Sequence, residues 1–191
     1  MTTQTWPVIL RQGDITLRPL RLRDRGKWDR LRSTNREWLS PWEATMPRVP
    51  GDKANRKLPT YFSMVAAHNK EGRTGRSISL AIWHKGDLVG QISLGGIIYG
   101  ALRGAHIGYW IDTAHANQGL VTSSVEILTQ FAFNELKLHR IEINLRPEND
   151  ASRRVAEKCG YHLEGERPRF LHIDGQWRDH LSFVRENPNI S

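Results

Sequence analysis

The chain has 191 residues, enough for one domain with a single core and short for two. Hydrophobic residues make up 38% and charged residues 25%, an ordinary balance for a globular domain, and no apolar run approaches the roughly 20 residues that cross a bilayer. Cys159 stands alone, which excludes an internal disulfide and makes a reducing, cytoplasmic setting the default. The formal charge is +8, with 13 Lys/Arg against 6 Asp/Glu between Arg11 and Lys57. That excess fits a solvated basic surface, a polyanionic cofactor, an acidic peptide or nearby RNA. There is no zinc-knuckle spacing and no RNA-binding aromatic signature, so a dedicated nucleic-acid module is not expected. Residues 1–10 lack the pattern of a signal peptide.

In chain order, residues 15–20 read as a short strand. Residues 23–36 read as a basic amphipathic helix, with Trp28, Leu31 and Asn35 at helical spacing. Pro41, Pro47 and Pro50 break residues 39–50 into loop and helix ends. A second helix is expected within 53–70, its regular part starting near Pro59, with Tyr61, Met64, Val65 and His68 on one face. The period then changes to two. Ile78, Leu80 and Ile82 alternate with Ser79, Ala81 and Trp83, Lys85-Gly86-Asp87 signals a turn, and residues 88–94 complete an antiparallel hairpin.

Residues 105–111 form another strand. Residues 118–138 return to helical spacing, with Val121, Val125, Leu128, Ala132 and Leu136 in one stripe. Ile141, Ile143 and Leu145 mark a strand, and residues 150–159 a short helix capped by Gly160. Residues 169–173 and 178–184 flank the hairpin turn Asp174-Gly175. The order β-α-α-β-β-β-α-β-α-β-β predicts one domain over residues 1–191. Its sheet is mainly antiparallel and seven-stranded, with helices on both faces. The strands at 105–111 and 140–145, joined by the long helix, should be parallel neighbours.

Chemistry enters at residues 112–123 (DTAHANQGLVTS), a polar loop with Gly119 where the helix begins. Glycine there lets backbone N–H groups approach an anion, and a helix N-terminus adds unpaired donors and partial positive charge. Thr122 and Ser123 can donate hydroxyls. The same pattern also suits an ordinary capped helix start.

The stretch GYWID-x5-Q-G-L-x-T, together with Asn149, Ser152, Glu157, Lys158, Gly160 and Tyr161 as N-x-x-S-x-x-x-x-E-K-x-G-Y, resembles the acetyl-CoA motif of the GNAT acetyltransferases. The tail FLHIDGQWRDHLS (170–182) and Trp38-Leu39-x-Pro41-Trp42 resemble the RimJ-type ribosomal-protein N-terminal acetyltransferases. The likeness runs over residues 14–185. It implies the GNAT fold and acetyl-CoA as cofactor. It assigns Asn117, Gln118, Gly119, Leu120, Val121 and Thr122 to the pyrophosphate, mostly through backbone N–H. It assigns Tyr109, Trp110 and Ile111 to the pantetheine arm, Asn149 to that channel, and Ser152 to the neighbourhood of the thioester sulfur.

Against the family's loop pattern, Gln/Arg-x-x-Gly-x-Gly/Ala, the chain has Ala116, Gly119 and Val121, so only the central glycine is retained. Some relatives carry a glutamate base where this chain has His106, a residue that titrates near neutrality. The resemblance also puts Trp38, Trp42 and Tyr61 over the acceptor groove, with Trp177, Arg178 and Asp179 bordering it; ordinary core packing is the competing reading for the three aromatics.

Direct transfer to an amine needs few protein groups. An α-amino group has a pKa of about 7.7–8.0, so a modest base suffices. A backbone N–H at the strand end is expected to stabilise the oxyanion, and Ser152 to supply a proton to sulfur. Ser152 could equally serve only its own helix N-terminus. Cys159 falls on an apolar helix face, so an acetyl-cysteine route is rejected. His172, Asp174 and His180 lack ligand spacing, and no metal is expected.

The expected function is acetyl transfer to the N-terminal α-amino group of a protein, an Ala- or Ser-starting ribosomal protein being the first candidate. The enzyme is expected in the cytoplasm as a monomer or weak homodimer, without membrane or direct nucleic-acid contact. A GNAT enzyme for a small amine, and a noncatalytic ribosome-associated factor, are the alternatives.

Overall fold

Two tight turns set the register of the sheet. Lys85 and Gly86 both take left-handed backbone (φ 49° and 90°), the twist that suits a two-residue hairpin, and they join β3 (Ile78–His84) to β4 (Asp87–Ile98). Asp174 and Gly175 (φ 48° and 76°) do the same between β7 (His162–Ile173) and β8 (Gln176–Glu186). The computed structural model describes residues 6–51 and 59–190.

The remaining strands are β1 (Leu10–Gln12), β2 (Ile15–Arg18), β5 (Gly104–Ile111) and β6 (Arg140–Leu145). They form one eight-stranded sheet in the order β1-β2-β3-β4-β5-β6-β8-β7. Every neighbouring pair is antiparallel except β5 and β6, the parallel pair expected from the βαβ pattern.

The sheet has one strand more than the seven expected. β1 is a three-residue edge strand whose Arg11 and Gln12 are exposed, too short and too polar to show a period of two. β7 also starts at His162 rather than 169, because bulges at Leu163/Gly165 and Arg167/Leu171 interrupt its alternation.

The helices are α1 (Arg25–Thr34), α2 (Arg36–Leu39), α3 (Tyr61–Thr74), α4 (Leu120–Asn134) and α5 (Asp150–Lys158). The N-terminal part of the helix expected over 53–70 lies outside the described residues. Helices cover both faces. On one, Val125, Leu128 and Ala132 of α4 pack fully buried against Leu80, Ile92 and Ile141 of the sheet. On the other, Trp28 of α1 and Tyr61 and Val65 of α3 pack on Ala81 and Trp83. Each fully buried Leu, Ile or Val contributes roughly 1.5–3 kcal/mol.

The feature that positions the site is a split in the sheet. β5 and β6 pair only where Gly104, Ala105 and His106 meet Arg140, Ile141 and Glu142. β5 then follows β4 as far as Ile111, while β6 follows β8 as far as Leu145. From Ile107 onward the two strands diverge, and α4 and α5 start beside the opening.

Candidate active site

One wall of the split is a strand with free backbone groups. Asp112 N–H turns toward β4 and donates to Val89 O at 2.7 Å. Strand residues alternate in the side to which they direct N–H and C=O, so Tyr109, beyond the last rung with β6, presents its own to the gap. At the end of the wall, Asn117 and Gly119 adopt left-handed backbone (φ 60° and 76°) and turn the chain into α4.

No side chain caps α4, and its first helical bond runs from Ser123 N–H to Gly119 O. The N–H groups of Leu120, Val121 and Thr122 therefore have no partner among the described residues, and the helix dipole adds positive potential there. Such an array is suited to an anion.

The loop is anchored from below by Asn35, fully buried at the end of α1. Its Nδ2 donates to Asp112 Oδ1 at 2.8 Å, and its Oδ1 accepts from Thr113 N–H at 2.8 Å. Burial pushes the Asp112 carboxyl up, but the hydrogen bonds from Asn35 and His115 outweigh it and hold the group below the usual carboxylate range. Gln118 folds back so that its Nε2 donates to Ala114 O at 3.0 Å, which leaves its backbone rather than its side chain for a ligand.

The other wall belongs to β6, α5 and the β7–β8 hairpin. Asn149 caps α5 by accepting from Ser152 N–H at 3.0 Å. Because Asn149 does the capping, the Ser152 hydroxyl is free of that duty and has no partner among the described residues. Tyr109 spans the opening, its hydroxyl donating to Ser152 O at 3.4 Å, and burial pushes its phenol far above the ordinary value.

The segment after α2 closes over this wall. Arg146 Nη1 donates to Pro41 O at 2.8 Å and its guanidinium stacks 5.4 Å from the Trp42 ring. Ala44 bridges to Ile173, and Thr45 N–H donates to His172 O at 2.8 Å. The cleft measures about 250 Å³. Trp42, Leu171 and Ile173 give it apolar walls, and Tyr109, Asn144, Arg146, Asn149, Ser152 and His180 give it polar ones. A larger cavity of about 510 Å³ between the N-terminal segment and α3 is walled mainly by apolar side chains such as Ile9, Leu22 and Phe62 and holds none of these groups.

Residues 14–162 match the family described as acetyltransferase (GNAT) domain. The chain belongs to the GNAT acetyltransferases. It is 46% identical to the probable N-acetyltransferase YjcK of Bacillus subtilis over 102 residues, which span 53% of this chain and 56% of that relative. It is 24% identical to the [ribosomal protein uS5]-alanine N-acetyltransferase of Escherichia coli over 157 residues, 81% of this chain and 78% of the other. Among solved structures, Mycobacterium smegmatis RimJ in complex with CoA-disulfide superposes with a TM-score of 0.84 at 34% identity, covering 95% of this chain and 88% of that one.

The residues of this acetyltransferase fit the acetyl-CoA that the family uses. The uncapped N–H groups of α4, with the Thr122 and Ser123 hydroxyls beside them, suit a pyrophosphate. The free backbone of Tyr109 suits an amide-bearing arm, and the Ser152 hydroxyl opens on the same cleft.

Of the residues singled out in the sequence, Tyr109, Asn149, Ser152 and Trp42 come together at the cleft. Gly119, Leu120, Val121 and Thr122 gather at the α4 N-terminus. Trp110 turns to the opposite face, 5.5 Å edge-on from Trp28. Trp38 donates from Nε1 to Ile111 O at 3.3 Å, beside the loop rather than inside the cleft. Tyr61 lies in the core under α1 and donates its hydroxyl to Arg21 O at 2.7 Å. His106 sits on the last paired rung of β5 and β6, its ring over Gly95 and Gly96, and does not line the cleft.

Cys159 is buried, donates to Thr122 O at 3.4 Å, and has its thiol pushed up to about 11 by burial, all adverse to a covalent acetyl-cysteine. Asn35, Asn144, Arg146 and His180 also belong to the site and are not among the site residues expected from the sequence. Only Asn35 left a usable signal, an amide on the apolar stripe of α1.

Proposed function

We propose that the chain acetylates the N-terminal α-amino group of a protein in the cytoplasm, with ribosomal proteins the first acceptors to test. The observation that carries this reading is the charge of the cleft. Its walls hold apolar groups and the Arg146 guanidinium, and no carboxylate among the described residues. A small polyamine would find no cleft-lining carboxylate to pair its second ammonium, whereas a peptide N-terminus presents one amine followed by neutral backbone and apolar side chains. The relative named [ribosomal protein uS5]-alanine N-acetyltransferase supports a protein acceptor.

The bound thioester supplies an activated acetyl group. The chain's own residues hold and orient it: α4 N–H groups at the pyrophosphate, the Tyr109 backbone along the arm, and the Ser152 hydroxyl toward the sulfur. Trp42 and Arg146 stack on the acceptor side of the cleft.

The test is to incubate the protein with acetyl-CoA, short peptides differing in their first residues and a set of small diamines. Free thiol release and product mass are followed. One acetyl group added to a peptide α-amine, at a kcat lowered about 10²-fold in Ser152→Ala, is the expected result. Turnover of diamines alone would overturn the peptide reading.

A further inference from the structure

We propose that His180 is the group that takes the proton from the acceptor amine. The inference rests on the acetyl-transfer reading and holds whichever amine is accepted.

His180 is 3% exposed and lines the cleft that Ser152 also lines. Its Nδ1 lies 3.1 Å from Arg178 O. A carbonyl can only accept, so Nδ1 carries the proton and Nε2 keeps the lone pair. Nε2 has no partner among the described residues.

Elimination leads to the same atom. The other titratable side chains on the cleft walls are Tyr109 and Arg146. Burial keeps the Tyr109 phenol protonated, and a guanidinium does not deprotonate in a protein. The nearby carboxylates are committed: Glu142 to Arg140, Asn144 and Arg167, Asp179 to Arg169 N–H, and Glu148 to Arg146.

The surrounding chain is built to hold the ring. Between Arg167 and Leu171 β7 bulges, with Arg169 at φ 51° and its N–H fixed by Asp179 Oδ1 at 2.7 Å. The bulge brings Phe170 edge-on to the imidazole, 5.4 Å between centroids at 66°. Arg167 stacks over the Phe170 ring at 4.9 Å. Bulges beside active sites commonly re-aim a side chain in this way.

Among the charged neighbours, burial and Arg146 push the imidazole below its ordinary 6.5, while the Arg178 carbonyl, Asp179 and Glu148 pull it up; burial wins. The ring is therefore neutral at pH 7 and able to accept. As the new N–C bond forms and the C–S bond breaks with its electron pair left on sulfur, His180 Nε2 takes the nitrogen's surplus proton. The Ser152 hydroxyl donates to the sulfur and is reprotonated from solvent.

The test compares wild type with His180→Gln and His180→Ala, using whichever amine the wild type turns over. His180→Gln is expected to bind acetyl-CoA as wild type does, which also shows that it folds, and to lose about 10²–10³-fold in kcat/KM. On the acid side, log kcat/KM is expected to fall with a slope of about two in wild type, from amine and imidazole, and about one in the variant. Added imidazole is expected to restore activity to His180→Ala. A variant within about threefold of wild type, or a slower one that keeps a slope of about two and ignores imidazole, would overturn the assignment. Wild type active on diamines alone would overturn the peptide reading and leave the His180 comparison valid, whereas turnover of no amine would sink both.

Discussion

The two walls of the cleft are made in different ways. The wall proposed for the cofactor is one continuous stretch, residues 107–122, whose available groups are backbone N–H and C=O at a strand end and a helix start. The wall proposed for the acceptor is assembled from three distant segments, residues 41–45, 142–146 and 167–182, and works through side chains. Backbone donors tolerate sequence change, so the first wall keeps its chemistry although only Gly119 of the family's loop pattern remains. Side chains do not, so acceptor choice is expected to reside in the second wall. Variants should separate the two, each shifting the KM of one substrate only.

The largest effect is expected at the buried anchor of the cofactor wall. Asn35→Ala removes the bonds to Asp112 and Thr113 and leaves a buried carboxylate short of a donor. It should cost about 3 kcal/mol in urea unfolding and raise the acetyl-CoA KM about tenfold, with the acceptor KM unmoved. The pH dependence follows from the same carboxylate. Its folded pKa lies below the unfolded one, so its contribution is complete above about pH 5 and is lost as pH falls through the depressed value. Stability curves of wild type and Asn35→Ala should therefore converge in acid. Curves that stay parallel to pH 2 would show that Asn35 does not act through Asp112.

A smaller and opposite pattern is expected across the cleft. Trp42→Ala removes the ring under Arg146 and part of the apolar wall. The acceptor KM should rise about tenfold, equivalent to about 1.4 kcal/mol of contact, while the acetyl-CoA KM holds. A rise confined to acetyl-CoA would erase the division between the walls.

That division also governs what could be read from the sequence. The parallel β5–β6 pair, the β3–β4 hairpin and the helix behind Gly119 follow from periodicity and turn residues, which are local. The loop proposed to hold the pyrophosphate is legible because it is contiguous. His180 was visible only as a hairpin residue, since its meaning depends on the bulge that sets Phe170 against it and on Arg178 O fixing its tautomer. Arg146 acquires its role by reaching Pro41 and Trp42 more than 100 residues away. β1 escaped notice because three edge residues carry no periodic signal. Trp42 and Tyr61, paired in the sequence reading as groove aromatics, are parted by the fold: one stands over the cleft and the other goes under α1.

Tyr61 supplies the smallest and sharpest test of that separation. Its hydroxyl donates to Arg21 O at 2.7 Å, its ring packs 6.3 Å from Trp28, and burial pushes its phenol up to about 12. Tyr61→Phe keeps the ring and deletes one hydrogen bond to a carbonyl that still accepts from Asp24 N–H at 2.9 Å. About 1 kcal/mol of stability should be lost, measured by urea unfolding, with kcat and both KM values unchanged. A change in acceptor KM at unchanged stability would mean that α3 transmits to the acceptor wall, and would return Tyr61 to the groove over which the family resemblance puts it.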